Sequence, residues 1–266
     1  MILSRSEPVT TINVFIFRPH RQAMRTTVII LVAVLATTLA AVGCTSLSPA
    51  VPVVHDQVYP AAGKAVIDIE NQNGRVAVTG WDRDEIQVRV LEGRRVENVS
   101  VEMVGDRMRV RTLPGGVVGF DAPQALYEVS VPRSLQRIEV QTSNGMIEIT
   151  DCNGTVAAET SNGAIRLAGT RTIDRLETSN GAIDAQIREL DTDARVSTSN
   201  GAVRIALAPT INARIEARTS NGQVSATGLP LTATESSSTS LRGTLGSGGP
   251  VLVVETSNGA ISLSPL

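Results

Sequence analysis

Few residues of this chain are of a type that does chemistry on a bound molecule. Its 266 residues include two histidines, two cysteines and a single lysine, Lys64. His20 falls in an N-terminal leader and His55 stands alone between prolines. A Ser-His-Asp relay or a histidine-rich metal site therefore has no material. Cys44 and Cys152 exclude a disulfide scaffold and a cysteine metal cluster, and Cys152 in "TDCNGT" reads as a small residue flanking a turn. Carboxylates are more plentiful. Glycan-cleaving repeat proteins need two of them roughly 5–9 Å apart, or a Ca²⁺ cluster beside a base. "WDRDE" (Asp82, Asp84, Glu85) and "ELDTD" (Glu189, Asp191, Asp193) are acidic enough to hold a cation but read as turn-solvating charge. "GSGG" (Gly246 to Gly249) lacks the Lys-Ser/Thr ending of a phosphate loop and reads as a flexible crossing. The expectation is no enzyme, no cofactor and no metal site. A polysaccharide-active enzyme is the minor alternative. For stacking on sugars the chain offers, beyond the leader, only Tyr59, Trp81, Phe120 and Tyr127. Trp81 follows a strand-ending glycine and reads as an end-capping core residue, with ligand stacking as the alternative.

What the chain has in quantity is one word. Thr-Ser-Asn-Gly begins at Thr142, Thr160, Thr178, Thr198, Thr219 and Thr256, placing its asparagines at Asn144, Asn162, Asn180, Asn200, Asn221 and Asn258. The gaps are 18, 18, 20, 21 and 37 residues, the last being about two periods with "TSLRG" (Thr239 to Gly243) near its middle as a decayed copy. "ENQNG" (Glu70 to Gly74) reads as an earlier variant. A fixed period of this length marks a repeat architecture. Aliphatic residues stand two and four places after each Gly, and one stands two places before each Thr. By the two-residue period of a strand each set faces one side. The outward positions, Glu148, Arg166, Asp184, Arg204, Ser225 and Ser262, mix charges and build no column of acids. Each repeat is thus a strand, a corner, a second strand and a looser turn such as Asn153-Gly154.

Two folds meet this pattern. Asn-Gly favours hairpins, hence an antiparallel meander. A β-solenoid, single-stranded and β-helix-like with 18–21-residue coils, also gives Thr and Asn a purpose, since stacked corners allow hydroxyl and amide ladders. On this reading Gly supplies positive φ at the corner. The solenoid is the expected fold. "KAVIDIE", "GRVAVTG", "EIQVRVLEG", "VSVEMVG", "RMRVRT" and "YEVSVP" extend the strands upstream, and no helix is expected outside the leader.

That leader, residues 1–43, is a signal peptide or membrane anchor. "RTTVIILVAVLATTLAAVGC" runs from Arg25 through an apolar stretch to Cys44, and its ending resembles a lipobox with Cys44 as the lipidated residue. The true start is placed at Met24 as an alternative to Met1. An uncleaved span is the other reading: about 18 apolar residues at ~1.5 Å each reach ~27 Å. Residues 44–62 read as a Pro-rich tether and 63–266 as the strand-repeat domain. Both anchors make the protein extracytoplasmic and membrane-attached. From Cys44 onward 20 basic residues face 25 acidic ones, with no basic face, so nucleic acid is not an expected partner.

"VAVTGWDRDEIQV" (Val76 to Val88), "YEVSVPRSLQRIEVQTSNGMIEI" (Tyr127 to Ile149) and "LRGTLGSGGPVLVVETSNGAISL" (Leu241 to Leu263) together resemble a bacterial and archaeal adhesin-like family, a β-strand-repeat domain of unknown function. The resemblance covers residues 64–264 and implies an exported β-solenoid behind a signal peptide or anchor, with no catalytic residues to carry over. The expected role is adhesion or surface scaffolding, with an unidentified surface ligand or envelope protein as partner. A regulatory envelope protein that senses stress by binding another membrane protein is the alternative. The candidate binding residues are Trp81 and the corner asparagines Asn144, Asn162, Asn180, Asn200, Asn221 and Asn258.

Overall fold

The computed structural model describes residues 52–92, 96–114 and 124–266. The leader with Met24, Cys44 and Phe120 lie outside the described residues. Every regular element among those described is a strand. The N-terminal half contributes β1 (Val53–Pro60), β2 (Val66–Asn73), β3 (Val76–Trp81), β4 (Glu85–Glu92), β5 (Val96–Val104), β6 (Arg107–Pro114) and β7 (Ala125–Pro132). The TSNG repeats then fold as strand pairs: β8 (Arg137–Asn144) with β9 (Ile147–Thr150), β10 (Thr155–Asn162) with β11 (Ile165–Thr170), and β12 (Thr172–Asn180) with β13 (Ile183–Ile187). β14 (Ala194–Asn200) with β15 (Val203–Leu207) and β16 (Ala213–Asn221) with β17 (Val224–Ala226) follow. A hairpin, β18 (Leu231–Ser236) and β19 (Ser240–Leu245), precedes the last pair, β20 (Val251–Asn258) and β21 (Ile261–Pro265).

Each pair is one coil of a flattened β-solenoid. Its first strand lies in an eleven-stranded sheet and its second in a ten-stranded sheet. Equivalent strands of successive coils pair in parallel with the repeats in register: Thr142 opposite Thr160, Thr160 opposite Thr178, and Asn144, Asn162 and Asn180 in one row. Alternation sends Ile138, Val140, Ile147 and Ile149 into the space between the sheets, all at 1% exposure or less. The other coils repeat that layer, except that the outermost TSNG coil leaves Ala226 exposed, so the core is a stack of aliphatic rungs along the solenoid.

The coils do not stack in chain order. The eleven-stranded sheet reads β18-β19-β16-β20-β14-β12-β10-β8-β2-β6-β5, and the ten-stranded sheet β1-β4-β7-β3-β9-β11-β13-β15-β21-β17. At one end β6 and β7 lie outside the β2–β3 coil although they follow it in sequence. At the other end the β20–β21 coil sits between β14–β15 and β16–β17. The eleven-stranded sheet turns antiparallel at both ends (β5 on β6, β19 on β16, β18 on β19) and the ten-stranded sheet at one (β4 on β7, β1 on β4), while β17 closes its other edge parallel to β21. Such hairpins cap a parallel stack that otherwise offers a full row of open strand edges.

Three readings change here. Val53–Pro60, assigned from sequence to the tether, pairs with β4 along the edge of the ten-stranded sheet, so the strands begin ahead of residue 63. "TSLRG" is not a corner: Ser240–Leu245 runs antiparallel to β16. Leu241 and Arg242 stand where Asn and Gly would, and the corner leaves no room for a side chain at the glycine. No coil occupies the 37-residue gap; the last copy of the word lies between the Asn200 and Asn221 coils.

Candidate binding surface

The corners show what the repeated word does. Each corner asparagine donates from Nδ2 to the Oδ1 of its neighbour: Asn144 to Asn73, Asn162 to Asn144, Asn180 to Asn162, Asn200 to Asn180, Asn258 to Asn200 and Asn221 to Asn258, all at 2.8–2.9 Å. The amide ladder is complete and runs in one direction. The threonine half differs from expectation. The Thr hydroxyls bond carbonyls, not one another: Thr178 Oγ1 donates to Gly163 O at 3.0 Å, Thr198 to Gly181 O at 3.0 Å and Thr256 to Gly201 O at 3.1 Å. In the first TSNG coil this fails. Asn71 stands in the Thr place of the preceding coil, its Nδ2 donates to Gly74 O at 3.2 Å, and Thr142 Oγ1 is left buried without a partner.

The glycines are needed for a reason other than φ. Gly145, Gly163, Gly181, Gly201 and Gly222 are not in the left-handed region. A Cβ on Gly163 would lie 1.9 Å from Gly145 O, and one on Gly181 would lie 2.0 Å from Gly163 O. The backbones approach so closely because Gly145 N–H donates to Asn162 O at 2.9 Å across the first seam and Gly163 N–H to Asn180 O at 3.0 Å across the second. The six candidate asparagines are therefore exposed yet occupied with each other, and the serines beside them point outward as a row of hydroxyls.

Trp81 is half-buried at the end of β3 and is not part of the core. Its indole Nε1 donates to Glu85 O at 2.7 Å, and the Arg83 guanidinium lies 4.8 Å from the ring centroid. The ring thus has one polar edge and one face already taken. Cys152 is fully buried, its thiol donates to Thr150 O at 3.2 Å, and burial raises its pKa to about 12, which removes the thiolate needed for reactivity. His55 Nε2 lies 3.1 Å from Tyr59 OH, and desolvation, opposed by Asp56, lowers its pKa.

The outer faces of the sheets carry the remaining polar groups, largely as ion pairs. On the eleven-stranded sheet Asp68, 6% exposed, meets Arg107 at 3.4 Å and Arg109 at 3.0 Å. Glu139 meets Arg107 at 2.5 Å and Arg137 at 2.6 Å. Partial burial pushes the Glu139 pKa up, but hydrogen bonds from both arginines outweigh it and hold the carboxyl below its ordinary value. On the ten-stranded sheet the order across the face is Glu148, Arg166, Asp184, Arg204, Ser262 and Ser225, fixed by the parallel registers. Arg166 lies 3.5 Å from Glu148, Arg204 lies 3.1 Å from Asp184, and Arg75 closes on Glu148 from the side. The two acids are separated by an arginine and each is already paired. Along this row no two carboxylates are register neighbours.

Alongside this charged row runs a second outward row of smaller or neutral groups: Thr150, Ala168, Gln186, Ala206 and Ser264. The two rows bound a shallow groove of about 470 Å³ across five coils, the roomiest of the depressions described on the surface. Sequence reasoning identified the charged row and missed the second. The available signal was the outward position two residues beyond each charge, where Ala168 and Ala206 leave the sheet uncovered. Among the described residues no three His, Cys, Asp or Glu side chains are grouped to hold a metal ion.

The profile of the Toastrack DUF4097 family matches residues 60–264. No curated protein matches the chain. Among solved structures, a protein from Clostridium sporogenes ATCC 15579, provisionally named for cell adhesion, aligns at 12% identity with a TM-score of 0.47, covering 80% of this chain and 99% of that one. A protein from Bacteroides fragilis NCTC 9343, provisionally named an adhesin, aligns at 11% identity with a TM-score of 0.40, covering 80% and 96%.

Proposed function

The chain belongs to the Toastrack DUF4097 family, and from that premise we propose that it is a non-enzymatic binding module of the cell envelope. In this reading a lipid on Cys44 holds it at the membrane, outside the cytoplasm. It engages a surface ligand or an envelope protein, as an adhesin or scaffold, through the outer face of the ten-stranded sheet. The supporting observation is the groove lined by Glu148, Arg166, Asp184 and Arg204 on one side and by Thr150, Ala168, Gln186, Ala206 and Ser264 on the other. It is broad, shallow and built on strands locked in register. Its charges alternate at the ~4.8 Å spacing of neighbouring strands. Alternating charges select a partner by pattern, not by net charge. A wide face of this kind suits an extended polymer or another protein surface better than a small substrate, which is bound by enclosure.

The test is co-sedimentation of residues 52–266 with washed cell envelopes, followed by crosslinking and identification of what is held. Saturable retention is expected, weakened at least about tenfold, or ~1.4 kcal/mol, by Ala168→Arg with Ala206→Arg. Retention unchanged by those substitutions would refute the assigned face. A single captured membrane protein would select the regulatory role over adhesion, and release of product from envelope glycans would overturn the non-enzymatic reading. For the anchor, Cys44→Ser is expected to leave the chain unprocessed. Unaltered mobility and processing would refute lipidation.

A further inference from the structure

The position of the β20–β21 coil has a consequence for how two copies of this chain meet. The coil comes last in the sequence, yet it lies inside the stack, parallel to β14 and β16 in one sheet and to β15 and β21's other neighbour β17 in the other. None of β16 to β19 pairs with any strand that precedes β16 in sequence. The end of the solenoid is therefore joined to the rest by the inserted coil and by the connecting residues 208–212.

Besides Val251 N–H donating to Asp193 Oδ1 at 2.8 Å and the Arg195–Glu255 ion pair at 2.6 Å, the bonds that hold the coil are the generic ones of the repeat. On one side Gly201 N–H donates to Asn258 O at 3.0 Å, Thr256 Oγ1 to Gly201 O at 3.1 Å and Asn258 Nδ2 to Asn200 Oδ1 at 2.9 Å. On the other Gly259 N–H donates to Asn221 O at 3.0 Å, Thr219 Oγ1 to Gly259 O at 3.0 Å and Asn221 Nδ2 to Asn258 Oδ1 at 2.9 Å. Leu252, Val254, Ile261 and Leu263 fill the slot between the sheets at 2% exposure or less. The slot is a binding site for one strand-corner-strand segment bearing TSNG, and the matching segment is present in every copy of the chain.

The segment hangs on a hinge. Gly246, Gly248 and Gly249 adopt φ of 58°, 78° and 148°, in the region that favours glycine, and the crossing is held by Asn212 Oδ1 accepting from Ser247 N–H at 2.9 Å. The crossing carries the chain past the start of β16: Leu245 lies opposite Ala213 on one side of that strand and Val251 opposite Arg214 on the other. We propose that the Val251–Pro265 coil is exchangeable, and that a second copy of this chain is the partner, each copy inserting its coil into the slot of the other. The closed monomer and the exchanged dimer make the same slot contacts, so the hinge and the protein concentration decide between them.

The hinge length gives the lever. Leu245 and Val251 are two strand spacings apart, about 9.6 Å. Deleting Gly246–Gly249 leaves two Cα steps, which reach about 7 Å at full extension. The coil then cannot re-enter its own slot, whereas a short hinge favours insertion into a neighbour. The experiment uses the full chain in detergent, in a Cys44→Ser, Cys152→Ala background. Ser197→Cys and Glu255→Cys, opposite each other in β14 and β20, are introduced into separately tagged chains that are unfolded together, refolded and oxidised. A disulfide joining the two tags is expected, its yield rising with protein concentration, and the hinge-deleted chain is expected to be dimeric at every concentration tested. The proposal is overturned if the two tags never join while both cysteines placed in one chain close on each other. It is equally overturned if the hinge-deleted chain refolds as a monomer with unchanged melting temperature. Failure of the single-chain pair to close also overturns it, since the coil would then not occupy the slot.

Discussion

Gly181→Ala separates two explanations of the corner glycine. If glycine were present for a left-handed turn, alanine would cost the usual ~1 kcal/mol and asparagine less. The structure gives a different cost. Gly181 is not left-handed, and its added methyl would stand 2.0 Å from Gly163 O, about 1.4 Å inside the ordinary contact of 3.4 Å. Relief requires the two coils to part at the corner, where three bonds join Asn162-Gly163 to Thr178 and Asn180: Gly163 N–H to Asn180 O at 3.0 Å, Thr178 Oγ1 to Gly163 O at 3.0 Å and Asn180 Nδ2 to Asn162 Oδ1 at 2.9 Å. At about 0.5–1.5 kcal/mol net for each, losing them costs roughly 1.5–4.5 kcal/mol. Overpacking a tight site independently costs about 1–3 kcal/mol. A loss near 3 kcal/mol lowers the melting temperature of a domain this size by roughly 6–12 °C. Thermal and urea unfolding of residues 52–266 read this directly. Gly181→Asn must be at least as damaging as Gly181→Ala. The control is Gly105, which has φ +58° and open space around the missing Cβ, so Gly105→Asn stays within about 0.5 kcal/mol. An alanine at 181 that costs under 0.5 kcal/mol, or an asparagine that rescues it, would refute the close-approach argument.

Threonine corners should divide by whether the hydroxyl has an acceptor. Thr198→Val deletes the bond to Gly181 O and costs about 1 kcal/mol, while Thr142→Val removes an unpartnered buried hydroxyl and is neutral or stabilising in the same unfolding assay. Asn180→Ala breaks the ladder on both sides, at Asn162 and Asn200; because the row is exposed and water replaces the lost partners, unfolding should register only about 1–2 kcal/mol. Alkaline stability follows from two buried acids. Burial raises the Cys152 and Tyr127 pKa values to about 12 in the folded state, against roughly 8.5 and 10 when unfolded. Their neutral forms contribute stability that is intact below about pH 8.5 and lost as pH climbs toward 12. Cys152→Ala should flatten the part of a melting-temperature titration that begins near pH 9, and an unchanged profile would contradict it.

Much of the fold can be read from the chain because one periodicity does two jobs. Ile147 and Ile149, or Ile165 and Leu167, mark an inward face by alternation, and the fixed spacing of Asn144, Asn162 and Asn180 aligns those faces in register. Stacking order is less legible. Nothing local to Val251–Asn258 distinguishes a coil added at the end from one inserted between β14 and β16, since its TSNG word is the same as that of the coils around it. "TSLRG" looks like a worn copy until the corner's clearance is known, because only that clearance forbids Arg242 at the glycine place. β1 was hidden by Pro52 and Pro60, which read as tether although Pro52 precedes and Pro60 ends an eight-residue edge strand, where proline is tolerated. At the surface, Glu148, Arg166, Asp184 and Arg204 were identified in sequence as outward, but the groove depends on the small neighbours Ala168 and Ala206, whose lack of bulk leaves no motif.

The corners bond coil to coil in the interleaved order. Amide hydrogen exchange tests it at the glycines. Gly145, Gly163, Gly181, Gly201 and Gly259 donate their N–H to the next coil's asparagine carbonyl, at Asn162, Asn180, Asn200, Asn258 and Asn221 respectively. Those five amides should exchange as slowly as the core strands despite lying at exposed corners, while that of Gly222, in the outermost TSNG coil, exchanges rapidly. Deleting residues 246–266 removes Asn258 and should release Gly201 while Gly163 stays protected. Fast exchange at all six corners would contradict stacking, and a Gly201 unaffected by the deletion would contradict the interleaved order.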